Sequence, residues 1–210
     1  QFLVLGFGMG CCAGFGVPVA KYFGANDMHK MRKYIFNGAV LTGIIALIVT
    51  VVCSVCCNQI LHLLSVPQDI YDKAYAYLIV IFLGIPFTLM YNYLSSVLRS
   101  LGDSRTPFMF LAFSAILNIF LDLFCIVVLK WDCAGAAIAT ITAQAVSGIL
   151  CLVYIFKKVQ IMHLEAQDRK VEGAAVKELL LMGIPTGLQF SITAIGSMVM
   201  QSANNKLGSV

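Results

Sequence analysis

The sequence predicts an all-α protein, a polytopic transmembrane helical bundle of six spans. Three observations predict it. Of the 210 residues, 60% are apolar and only 11% are charged, whereas a soluble domain carries about 25% charged residues. Mean hydropathy is +0.90, which leaves too little polar surface to cover a globule in water. The apolar residues also fall into six continuous runs, each long enough to cross about 30 Å of hydrocarbon at ~1.5 Å of helical rise per residue. Continuous runs favour helices over the alternating segments of ~10 residues that build a membrane barrel.

The predicted spans are Gln1 to Phe23, Ile35 to Leu61, Tyr75 to Leu98, Pro107 to Leu129, Ala134 to Phe156 and Leu179 to Ala203. In the first, Gly6, Gly10 and Gly14 recur every four residues and stack on one helix face, where they admit a neighbouring backbone. Gly8-x-Gly10-x-x-Ala13 in the same run echoes a dinucleotide fingerprint, but no strand precedes it and it opens no phosphate-facing helix. In the second run, Cys53-x-x-Cys56 lacks the second half of a zinc or redox motif, so the eight scattered cysteines read as small apolar membrane residues. Pro86 and Pro185 lie inside the third and sixth runs, and each is expected to kink its helix. Between the third and fourth spans, Gly102 is placed to end one helix, Thr106 to cap the next and Pro107 to occupy its first position.

The loops carry an alternating charge. Lys21, Lys30, Arg32 and Lys33, then Arg99 and Arg105, then Lys157, Lys158, Arg169, Lys170 and Lys177 gather at the first, third and fifth loops. Only Lys73, Lys130 and Lys206 fall on the other side. This bias predicts that the loops near 24–34, 99–106 and 157–178 are cytoplasmic in an inner (plasma) membrane, and that the first span runs inward. An odd number of spans, one by expectation, then precedes Gln1, and the sequence reads as a piece of a longer chain. The basic residues lie at the ends of apolar runs, not beside exposed aromatics, so nucleic acid is excluded as a partner. The fifth loop is long, charged and of mixed sign, with the composition of a linker between two bundles.

Asp122 is the carboxylate set well inside an apolar span, where a charge is costly and marks an ion path or relay. Asn118 precedes it by one turn on the same face. Asp122 lies eight residues before Lys130 and Thr140 seven after Cys133, which puts the two at similar depth. Gln144 and Ser147 continue the Thr140 face. The expectation is one polar cluster of Asn118, Asp122, Thr140 and Gln144, serving cation or proton coupling or hydrogen-bonding packed helices together.

Three stretches give the chain a family resemblance: VAKYFGAND at Val19 to Asp27, LRSLGDSRTP at Leu98 to Pro107 followed by LNIFLD at Leu117 to Asp122, and GAAIAT at Gly135 to Thr140. In order and spacing they resemble the multidrug and toxic compound extrusion (MATE) transporters. The resemblance implies a fragment covering helices two to seven of a two-lobe, twelve-helix transporter. Residues 1–157 would supply most of the N-terminal lobe, 158–178 the cytoplasmic linker and 179–210 the first helix of the C-terminal lobe. It implies coupling roles for Asn118, Asp122 and Thr140; Gln144, from its place on the Thr140 face, is expected to be a polar cavity residue. No cofactor and no enzymatic activity are implied. The coupling ion is H+ or Na+, and the one metal ion implied is Na+ at Asp122 and Asn118. The implied function is exchange of that ion for amphipathic, often cationic small molecules by alternating access within the lipid bilayer.

An alternative is a flippase of lipid-linked precursors with a related bundle. It calls for cations deep in the spans to meet phosphates, and no Lys or Arg lies there. An intramembrane enzyme would call for motifs such as H-E-x-x-H or G-x-S-x-G, neither of which is present. A helical scaffold without transport would tolerate replacement of Asp122.

Overall fold

The computed structural model describes residues 2–63, 70–129, 131–162 and 168–207. Lys130, counted above on the less basic side, and residues 163–167 of the fifth loop lie outside the described residues. Eight α-helices follow one another: α1 (Phe2–Gly24), α2 (Met28–Val55), α3 (Cys57–Leu63), α4 (Tyr71–Leu83), α5 (Ile85–Ser100), α6 (Arg105–Leu123), α7 (Asp132–Lys158) and α8 (Gly173–Leu207). No strand occurs among the described residues. Five helices are long and apolar enough to cross a membrane, and the bent pair α4–α5 has the length and hydropathy of a sixth when counted as one span. The chain is a multi-pass membrane protein.

The six apolar runs become these spans, with corrected ends. α2 begins at Met28 and stops at Val55, so the run to Leu61 is broken and its tail forms the separate α3. The third span bends by 41° between Leu83 and Ile85. Pro86 opens α5 there, where its missing N–H leaves no hydrogen bond to lose. α8 instead runs through Pro185 as one element. It begins at Gly173, so Lys177 and Glu178 belong to the helix and not to the linker. α6 ends in a π-helical turn, Phe124–Val128.

Two of the resembling stretches are hairpins of the same construction. At the end of α1, Asn26 takes a left-handed φ of 57°. The Asp27 amide bonds back to the Tyr22 carbonyl, and the Asp27 carboxylate accepts from the Lys30 amide at 3.1 Å. At the end of α5, Gly102 takes φ 88°, the Asp103 amide bonds to the Leu98 carbonyl, and the Asp103 carboxylate accepts from the Thr106 amide at 3.0 Å. The left-handed residue satisfies the last carbonyls of one helix and the aspartate satisfies an early amide of the next. Asp103, not Thr106, therefore caps α6, and Pro107 is its third residue.

Polar side chains within the bundle tie helix to helix. Tyr93 donates to the Ile35 carbonyl at 2.6 Å, Tyr91 to the Pro107 carbonyl at 2.8 Å and Ser100 to the Gly16 carbonyl at 2.8 Å. The opposite faces are apolar and open: Phe108, Leu111, Ile119, Phe120 and Leu123 of α6 are exposed. In water such a face would drive aggregation, whereas hydrocarbon solvates it.

α1 and α8 pack most closely. Gly10 lies against Gly187, and Gly14 against Met182 and Gly183, all backbone to backbone. This antiparallel seam answers the expectation from the four-residue glycine spacing. It also puts the ends of α1, α5 and α7 on one side, where Lys21 meets Glu178, Ser100 meets Gly16 and Arg32 meets Ile161.

Candidate functional site

α6 and α7 form an antiparallel pair whose register three contacts define. Ser147 donates to the Phe110 carbonyl at 3.5 Å. Asn118 Nδ2 lies 3.4 Å from Thr140 Oγ1. Gly135 approaches Cys125 so closely that a Cβ on the glycine would sit 3.1 Å from that of the cysteine. Along α6, Ser114, Asn118 and Asp122 repeat every four residues on the face turned to α7, while Ile116, Ile119 and Phe120 face outward. α7 is rich in small residues, with Ala137, Ala139 and Ala143 buried around its circumference.

This register joins Asn118 to Thr140, whose hydroxyl also donates to the Ala136 carbonyl at 2.9 Å. Asp122, one turn beyond Asn118, comes level with Ala136 and Ala137 in this register. At that level α7 presents alanine, which carries no donor. Asp122 Oδ1 is shut off from solvent and accepts no hydrogen bond among the described residues. Gln144 lies one turn from Thr140 in the opposite direction, about 10 Å from the level of Asp122 at helical rise. The expected cluster of four thus divides into Asn118 with Thr140, Asp122 to one side, and Gln144 beyond on the other. Gln144 Oε1 is likewise buried without a described partner.

A buried carboxylate oxygen with no protein donor attracts a proton or a cation, since leaving it bare is costly. The neighbouring groups are the amide of Asn118 and the hydroxyl of Thr140. A hard cation such as Na+ takes carboxylate, amide and hydroxyl oxygens of this kind. No group of three or more His, Cys, Asp or Glu suited to a transition metal occurs among the described residues.

A second polar assembly was not singled out from the sequence. Glu178 of α8 receives Lys21 Nζ on one oxygen at 2.9 Å, and the hydroxyls of Tyr34 and Tyr22 on the other. Beside it, Asn37 of α2 is 1% exposed. It donates to the Lys33 and Lys170 carbonyls and accepts from the Glu172 amide. His29 Nδ1 meets the buried Asp168 at 2.7 Å, and Lys33 pairs with Glu172. The charged linker is therefore fastened to α2. The available signal was Asn37 itself, a polar residue within an apolar run.

The profile of the MatE family matches residues 1–124. The chain belongs to the MatE family. The probable multidrug resistance protein YpnP of Bacillus subtilis is 38% identical over 71% of this chain and 33% of that protein. The probable multidrug resistance protein YoeA of the same organism is 24% identical over 99% of this chain and 46% of that protein. A solved outward-facing multidrug resistance MATE family transporter of the MOP superfamily superposes with a TM-score of 0.88 at 20% identity, over 96% of this chain and 45% of that one. The MatE chain thus spans a third to a half of the length of these proteins. Its relatives are transporters, not enzymes.

Proposed function

We propose that the full-length protein exports amphipathic, often cationic compounds in exchange for H+ or Na+ flowing inward. Family membership supports the export, and Asp122 carries the coupling. Its Oδ1 is buried without a described donor, beside the Asn118–Thr140 contact. A carboxylate in that setting exchanges one positive partner for another, so an inward-moving ion and an outward-moving cationic compound compete for it. Asn118 and Thr140 supply oxygens next to it, and Gln144 is a polar residue of the cavity one turn further along α7.

The cycle alternates between two lobes. Residues 1–157 contribute to the first, 158–172 connect, and α8 from Gly173 opens the second. The loops near 24–34, 99–106 and 157–178 face the cytoplasm, in keeping with their positive charge. Each described Lys or Arg lies near a helix end, which disfavours the flippase alternative. The test is gradient-driven efflux of a fluorescent organic cation from proteoliposomes of the full-length protein, with H+ and Na+ gradients imposed separately. Efflux under one gradient supports the reading, and no efflux under either refutes it.

A further inference from the structure

Glu178 gathers donors from two helices at the basic end of the α1–α8 seam. Lys21 Nζ approaches Oε1 at 2.9 Å, while the Tyr34 hydroxyl and, at 3.5 Å, the Tyr22 hydroxyl reach Oε2. The Tyr22 and Tyr34 rings lie 4.7 Å apart between centroids, so they brace each other. This carboxylate therefore joins the first helix assigned to the second lobe to α1 and α2 of the first.

The exposure of its ion pair makes the junction releasable. The Lys21 side chain is 60% exposed and that of Glu178 26%, and an ion pair so open to water is broken and remade at little cost. Behind it the seam is lined by glycine, with Gly10 and Gly14 against Gly187 and Gly183. The Phe15 ring rests on Gly183 and the Phe7 ring on Gly187, so opening the seam uncovers these side chains and the Cys11 sulfur between them. Meanwhile Asn37 holds the linker at Lys170 and Glu172, which leaves the start of α8 as a fixed pivot.

We propose that Glu178 is a positioning residue of the transport cycle, a latch that holds α8 against α1 in one state and releases it in the other. This rests on the transport reading above. Cys11 reports the opening directly, because it is 1% exposed and its sulfur faces Gly187 across the seam.

The test uses the detergent-solubilised full-length protein with Cys11 as the sole cysteine and a water-soluble maleimide. Glu178→Gln and Lys21→Met should each raise the Cys11 labelling rate roughly two- to five-fold, the population shift that loss of one half-exposed ion pair produces. The exchanged pair, Lys21→Glu with Glu178→Lys, should bring the rate back toward wild type. Unchanged labelling in both single variants would overturn the latch. In proteoliposomes, a Lys21→Cys, Glu178→Cys double variant joined by a short reducible cross-linker should lose efflux and regain it on reduction. Full efflux by the cross-linked protein would overturn the proposal. A wild type that moves no cation would refute the transport reading instead, and Cys11 labelling would still decide the latch.

Discussion

A Cβ placed on Gly14 of α1 would lie 2.6 Å from the carbonyl oxygen of Met182 in α8. That neighbour is backbone and cannot swing aside, so Gly14→Ala must push the helices apart. Overpacking of this kind costs about 1–3 kcal/mol. Gly43 of α2 has nothing within 4 Å of its own added Cβ. Gly43→Ala should be neutral or stabilise by up to about 1 kcal/mol, as removal of a mid-helix glycine does. Thermal unfolding of the two variants in detergent checks the pair. Equal effects would contradict the close α1–α8 packing.

The cap of α6 gives a prediction with a pH sign. Hydrogen bonds from the Thr106 side chain, then from the Thr106 and Arg105 amides, outweigh desolvation and hold the Asp103 carboxyl below its ordinary value. A lowered folded pKa stabilises fully above the unfolded value of about 4 and is lost as pH falls through the folded one. Asp103→Ala should cost about 1 kcal/mol at neutral pH, and Asp103→Asn much less, because asparagine also caps. The wild-type advantage over the alanine variant should shrink on acidification below about pH 4. An advantage that instead grows on acidification would contradict the cap.

Asn37 fastens the linker, so Asn37→Ala should free it. With the Lys170 carbonyl and the Glu172 amide released, trypsin should cleave after Arg169 or Lys170 several-fold faster than in the wild type. Gel analysis of timed digests measures this. An unchanged rate would mean that the remaining contacts, His29 with Asp168 and Lys33 with Glu172, hold the linker alone.

Sidedness is testable with single cysteines in a cysteine-free background. Trp131 and Lys158 mark opposite ends of α7 and both are exposed. An impermeant maleimide outside intact cells should label Trp131→Cys and miss Lys158→Cys. The opposite pattern would reverse the orientation.

The spans were legible because hydrocarbon forces each apolar run into a helix. Their ends were less so. Lys30, Arg32 and Lys33 lie within α2, and Lys177 and Glu178 within α8, because charged side chains at a span's edge reach out to water while the backbone stays helical. The Asn118–Thr140 contact could be anticipated by counting from a shared turn. The position of Gln144 could not, since the register of α6 on α7 is set by which small residues let the backbones meet, as at Gly135 and Cys125. Thr106 and Asp103 are both capping residue types, and the left-handed turn at Gly102 decides for Asp103. Glu178 and Lys21 are 157 residues apart in sequence, a pairing that no local pattern encodes.

The measurement closest to the central claim is ion-gradient-driven efflux of a fluorescent cation from proteoliposomes of full-length Asp122→Asn, normalised to inserted protein. Asparagine keeps the volume and hydrogen-bonding capacity of aspartate but cannot ionise. If Asp122 couples the ion, efflux falls to the level of empty liposomes while expression and thermal unfolding stay near wild type. Asn118→Ala, which leaves the charge, loses only part of it. Wild-type efflux by Asp122→Asn would contradict the account and leave Asp122 a helix-packing residue.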